Sequence, residues 1–117
     1  MQFLLMIYGD ESAWSKMPAD VQQQSFAAFM QYNKDLAMSG KLKSAAQLMP
    51  TGAAKTVRVR NGKAVTTDGP FAETREQIGG YYLLEVENEA EALEWAAKCP
   101  AAFGGSIEVR PVMLNPT

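Results

Sequence analysis

The order of its strand and helix signals constrains this chain more than any other feature. An apolar strand-like run, Phe3-Leu4-Leu5-Met6-Ile7-Tyr8, precedes a one-sided helical pattern over about residues 18–39 and a weaker strand at Leu42–Leu48. The same strand–helix–strand order returns with a strand at Tyr81–Glu87, a helix opened by Asn88 and stopped by Cys99-Pro100, and a last strand at Ile107–Met113. Two helices that are each apolar on one side need a sheet to cover them. Between the two units, Asn61-Gly62 separates Thr56–Arg60 from Lys63–Thr67. Asn-Gly between β-prone runs predicts a two-residue hairpin turn, with positive φ at both turn positions. That register puts Val57, Val59, Ala64 and Thr66 on one face and Arg58, Arg60, Lys63 and Val65 on the other. The predicted fold class is α+β: a ferredoxin-like antiparallel sheet with an added β-hairpin and two helices on one face, spanning residues 1–117 as a single domain.

Local signals agree with this order. Pro18 suits a first helical turn, and Gly40 suits the left-handed residue after the last one. The periodicity assigns Val21, Phe26, Phe29, Met30, Leu36 and Ala37 to the core side of the first helix. Asn88 with Glu91 resembles a capping box for the second helix, whose apolar side is read as Leu93, Ala96 and Ala97 with Trp95. Pro111 cannot donate to a ladder and predicts an edge or bulge in the last strand. Helices on one face leave the other face of the sheet bare. Val65, Leu83 and the tyrosines make that face partly apolar, which marks an interface. A two-fold homodimer, its sheets packed face to face into a dimeric α/β barrel, is the economical solution.

Composition removes several function classes. The chain has 117 residues, 47% of them hydrophobic and 21% charged, with net charge −2. A domain of this size buries roughly 65% of its unfolded surface. No global charge draws it to nucleic acid or to an anionic membrane. The apolar runs fall well short of the ~20 residues that span a bilayer. The first residues read as a strand and not as a signal peptide, so a cytoplasmic location is expected. Cys99 is the only cysteine, which excludes an internal disulfide, and it is read as a small packing residue. Histidine is absent. That excludes Ser-His-Asp and Cys-His catalysis and His-ligated metal or haem, and leaves proton transfer to Asp, Glu, Tyr, Lys or water. The glycine fingerprints of phosphate-cradling loops are also missing, and no cofactor is expected.

The stretch Asp68-Gly69-Pro70-Phe71-Ala72-Glu73-Thr74-Arg75-Glu76-Gln77-Ile78-Gly79-Gly80-Tyr81-Tyr82 holds more Gly, Pro and charge than core patterning requires. Asp68-Gly69-Pro70 reads as a tight turn, or as a carboxylate held rigidly at the mouth of a pocket. Glu73, Arg75 and Glu76 read as a solvated charged segment; alternatively one glutamate faces Asp68 or Asp10, and paired carboxylates then divide acid and base roles. Gly79-Gly80 reads as a bulge or close backbone approach, or as space for a ligand beside a tyrosine hydroxyl. Charge is segregated along the chain. Residues 36–67 hold Lys41, Lys43, Lys55, Arg58, Arg60 and Lys63 with no acid, and residues 85–94 hold Glu85, Glu87, Glu89, Glu91 and Glu94 with no base. These are solvated faces, or surfaces that steer an anionic ligand or a protein partner.

Several separated motifs, in order, resemble the DGPF type of YCII-related protein. They are Leu4-Leu5-Met6-Ile7-Tyr8-Gly9-Asp10, Thr56-Val57-Arg58-Val59-Arg60-Asn61-Gly62-Lys63, Thr67-Asp68-Gly69-Pro70-Phe71 with its continuation to Leu84, Trp95-Ala96-Ala97-Lys98-Cys99-Pro100, and Ile107-Glu108-Val109-Arg110-Pro111-Val112-Met113. The resemblance implies a dimeric α+β barrel. In the wider superfamily it also implies a His–Asp acid–base pair and, in some relatives, lyase activity on ring-derived substrates. Asp10 matches the aspartate, whereas Phe29 stands near the histidine's place on the first helix. Genes of this type tend to neighbour those of extracytoplasmic-function sigma factors, which implies a regulatory setting.

Two expectations follow. In the first, a homodimer binds a small polar or anionic organic ligand, with Asp68 or Asp10 as base in a His-independent lyase- or isomerase-like reaction. Tyr81 or Arg58 stabilises charge there, and Gly69, Pro70, Phe71 and Glu73 complete the ligand site. In the second, the chain is a non-catalytic regulatory or interaction module linked to a sigma factor.

Overall fold

The N-terminal apolar run forms β1 (Gln2–Gly9), a central strand of a four-stranded antiparallel sheet in the computed structural model, which describes residues 1–114. Its partners are β2 (Leu42–Gln47), β5 (Gln77–Glu85) and β6 (Ser106–Pro111), in the order β2-β5-β1-β6. That order, with α2 (Ala19–Met38) and α3 (Glu89–Lys98) in the two crossovers, is the ferredoxin-like α+β plan. Among the described residues the hairpin strands β3 (Lys55–Arg60) and β4 (Lys63–Asp68) pair only with each other. Asn61 (φ 53°) and Gly62 (φ 74°) make its turn, and the Arg60–Lys63 register is the one that the sequence predicts.

Alternation along the strands sorts the sheet into two faces. Phe3 and Leu5 of β1 and Tyr82 and Leu84 of β5 point to the helices and are buried with Tyr32, Leu36, Ala92, Ala96 and Cys99. Polar atoms within this core are satisfied. The Tyr32 hydroxyl donates to the Trp95 carbonyl at 2.8 Å, and the Tyr82 hydroxyl donates to Asn33 Oδ1. Tyr32 also stands edge-on to Tyr82, with centroids 5.4 Å apart. On the opposite face Leu4 pairs with Leu83 and Met6 with Tyr81, all half-exposed.

Several details depart from the sequence reading. A short helix, α1 (Glu11–Ser15), follows β1 directly, so the described residues hold three α-helices and not two. On α2 the buried side chains are Tyr32 and Leu36, with Phe29 packed against them, while Val21, Phe26, Met30 and Ala37 are exposed. At 3.6 residues per turn, Phe26, Met30 and Ala37 lie roughly a quarter-turn round from Leu36, and Trp14 of α1 meets Phe26 edge-on instead. On α3 the small residues Ala92 and Ala96 face the core, and Leu93 and Ala97 face outward. Close approach of α3 to the sheet favours alanine at the contact. Asn88 Oδ1 accepts from the Glu91 amide at 3.0 Å, but the Glu91 carboxylate reaches the amide of Glu87, one residue before the cap.

The strand predicted from Tyr81 begins at Gln77 and ends at Glu85, because the diglycine is part of it. Ile7 pairs with Gly80 and Tyr8 with Ile78, which leaves Gly79 as a bulge. A Cβ on Gly80 would stand 2.8 Å from the Ala46 carbonyl oxygen, so β2 approaches there as closely as glycine allows. Pro111 lies on β6, an edge strand, as its missing N–H requires. No helix among the described residues is long and apolar enough to cross a membrane.

The chain is open in shape. Its extents are 48 × 48 × 18 Å and its radius of gyration is 16.4 Å, against about 13 Å for a compact domain of this length.

Candidate functional site

The site is built where β1 runs out. Gly9 ends the strand, and Asp10 caps α1. Its Oδ1 accepts from the Ser12 hydroxyl (2.6 Å), the Ser12 amide (3.0 Å) and the Ala13 amide (3.4 Å). Its Oδ2 faces Arg75 Nε at 3.6 Å. The Ser12 hydroxyl above all, then the backbone amides and the Arg75 guanidinium, hold the Asp10 carboxyl below its usual value. A carboxylate so well satisfied is a weak base, and it suits a fixed negative charge that orients a cation.

Arg75 comes from the segment 69–76 that links β4 to β5. Its start is clamped at the hairpin base. Gly69, at φ 90°, donates its amide to the Ala54 carbonyl (2.8 Å), and its own carbonyl accepts from the Thr56 hydroxyl (2.8 Å). Below it, the Glu11 carboxylate accepts from the Thr51 amide (3.0 Å) and hydroxyl (2.8 Å), tying α1 to the turn after β2.

Two open grooves flank this pair. The larger, about 880 Å³, is lined by Tyr8, Glu76, Ser106 and Glu108 as well as Asp10 and Arg75. The smaller, about 680 Å³, is lined by Glu11, Thr51, Gly69, Pro70, Glu73 and Gln77 with the same two residues. Asp10 and Arg75, with Thr74 between the grooves as well, therefore form the wall that they share. Arg75 is 90% exposed and makes one long contact with Asp10, so its remaining N–H groups are available to a bound oxyanion. Tyr8 and Glu76 are the groups of the larger groove suited to moving a proton, since Glu108 already pairs with Arg110 at 3.0 Å.

Of the residues that the sequence singles out, Asp10, Gly69, Pro70 and Glu73 line these grooves together. Asp68 does not. Its carboxylate is 87% exposed and pairs with Lys55 across the base of the hairpin. Arg58 stands on β3 opposite Val65, Phe71 is 79% exposed, and Tyr81 sits on the open face of the sheet against Met6 and Ala46. Phe29 packs on the core. Cys99 is fully buried, and burial pushes its thiol up, away from the thiolate. Arg75 is what the sequence reading left among solvated charges. Its one signal is a lone cation inside Glu73-Thr74-Arg75-Glu76. Among the described residues no group of three or more acidic, Cys or His side chains is placed to hold a metal ion.

The YCII-related domain profile matches residues 1–115, and the chain belongs to that family. An uncharacterized protein of Rhizobium meliloti (strain 1021) is 39% identical over 119 residues, covering 97% of this chain and 94% of its own length. The 5-chloro-2-hydroxyhydroquinone dehydrochlorinase of Burkholderia phenoliruptrix AC1100, solved with 2,5-dihydroxybenzoquinone, superposes with a TM-score of 0.59 at 14% identity, covering 98% of this chain and 96% of the other. At that identity the likeness establishes the shared fold.

Proposed function

We propose that the chain works in the cytoplasm as a homodimer that binds a small, anionic, oxygen-rich organic molecule beside Arg75 and acts on it as a lyase- or isomerase-type enzyme without histidine. The observation that carries this reading is the Asp10–Arg75 wall: an exposed guanidinium, oriented by a carboxylate that is itself fixed by three hydrogen bonds, between two open grooves. The dehydrochlorinase of the same fold, held with a hydroxyquinone, supports the ligand class. In an elimination, the Glu76 carboxylate takes the proton as a C–H bond beside a carbonyl breaks. Arg75 stabilises the enolate oxygen, and the leaving group departs with its electron pair as the double bond forms. The half-exposed Leu4, Met6, Tyr81 and Leu83 support a dimer in which sheet faces sheet. Calorimetric titration with 2,5-dihydroxybenzoquinone tests the ligand site. Arg75→Gln should weaken binding roughly ten- to a hundredfold, the worth of a hydrogen bond to a charged group. Undiminished binding by that variant overturns the proposed site.

The complete lack of histidine and the already satisfied Asp10 carboxylate favour a second reading, a non-catalytic module beside a sigma factor. Unchanged sigma-factor output in a deletion strain counts against it.

A further inference from the structure

Among the described residues the hairpin strands pair with each other and with no further strand. Every residue of β4 is exposed, and so is all of β3 except the half-buried Thr56. Val57 and Val59 share one face with Ala64 and stand in solvent. An isolated two-stranded hairpin is marginal in water and needs a surface to lie on. The whole chain exposes 8413 Å², about 2,100 Å² more than the roughly 6,300 Å² that a monomer of its mass exposes. An excess of that size is enough for a large interface between copies.

Charge indicates what the hairpin meets. The segregated charges of the sequence are partly used up within the fold: Lys41 pairs with Glu91 at 3.2 Å, the N-terminal ammonium with Glu85 at 2.8 Å, and Lys55 with Asp68. Arg58, Arg60 and Lys63 at the hairpin tip form no ion pair among the described residues, and neither do Glu87, Glu89 and Glu94 at the start of α3. Three cations on a projecting arm and three carboxylates on the body remain unmatched.

We propose that the β3–β4 hairpin is an exchanged arm: it lies on a second copy of this chain, its basic tip against that copy's Glu87–Glu94 segment and its valine face out of water. The inference rests on the homodimer proposed above and adds a contact that sheet-to-sheet packing does not require. It also couples assembly to the site. The arm continues through the clamped Gly69 into the segment that carries Glu73 and Arg75, so seating the arm fixes the side chains of the groove.

Carbodiimide coupling on the native chain tests the arm, with copies of normal and heavy nitrogen mixed in equal amounts. The expected result is Lys63 joined to Glu87, Glu89 or Glu94 in mixed-label peptides. Alongside it, Arg58→Glu/Arg60→Glu/Lys63→Glu should weaken the dimer at least tenfold at low salt, with the unfolding temperature of the body unchanged. A stable dimer with no mixed-label coupling and no loss in the triple variant overturns the arm and leaves the sheet-faced dimer standing. A wild-type chain that stays monomeric overturns both.

Discussion

The sheet-and-helix body and the hairpin arm are built by different physics. In the body, Leu5, Leu36, Leu84 and Cys99 lose all contact with water, and residues more than 60 apart in sequence, such as Tyr32 and Trp95, complete each other's hydrogen bonds. In the arm, turn chemistry at Asn61-Gly62 does the work, and scarcely any side chain is covered. The body therefore holds the stability. The proposed ligand site and the proposed contact with a second copy both fall on the arm and the segment behind it, which is where loosely held elements belong.

Changes that separate the two regions follow from this. Leu84→Ala should cost the body about 2–5 kcal/mol in urea unfolding, because a buried side chain leaves a cavity. Val59→Ala on the arm should cost under about 0.5 kcal/mol in dilute protein; a comparable loss would make the arm part of the core. Within β5 the contrast sharpens to adjacent residues. Gly80→Ala drives a methyl group into the Ala46 carbonyl and should cost about 1–3 kcal/mol. Gly79→Ala meets nothing and should stay within about 0.5 kcal/mol on the same assay.

Alkaline pH should attack the body alone. Burial pushes the Tyr82 phenol up to about 12, and Tyr32 is raised by the same cause. Groups with raised folded values contribute stability that is intact below the unfolded value of 10.0 and is lost as pH rises through the folded one. Far-ultraviolet circular dichroism should show that loss between pH 10 and 12, and Tyr82→Phe should shrink it. The smallest effect belongs to Asp10. Its lowered value means stability present above the unfolded pKa of 3.8 and lost as pH falls through the folded one. The loss should be local, seen in the amide signals of Ser12 and Ala13, and Asp10→Asn should abolish it.

Strand order, hairpin register and the capping of α3 were legible because each rests on local chemistry with one solution. The buried side of α2 was not. Phe26 and Met30 are as apolar as Leu36, and only the tertiary placement of the helix decides which of them sinks. The site was half legible. Asp10 stands out at the end of a strand, but Arg75 acquires meaning only when its segment folds back across α1, a contact between residues 65 apart. Asp68 shows the same dependence on tertiary context: a turn aspartate beside Gly-Pro looks preorganised for chemistry, and in the fold it pairs with Lys55 across the hairpin, outside both grooves.

A crystal structure of the chain with 2,5-dihydroxybenzoquinone tests the account most directly. It should show the ligand in a groove beside Arg75, with guanidinium N–H groups within hydrogen-bond distance of a ligand oxygen and Asp10 still capping α1. Ligand bound elsewhere, with Arg75 still turned to Asp10 over empty grooves, would contradict it.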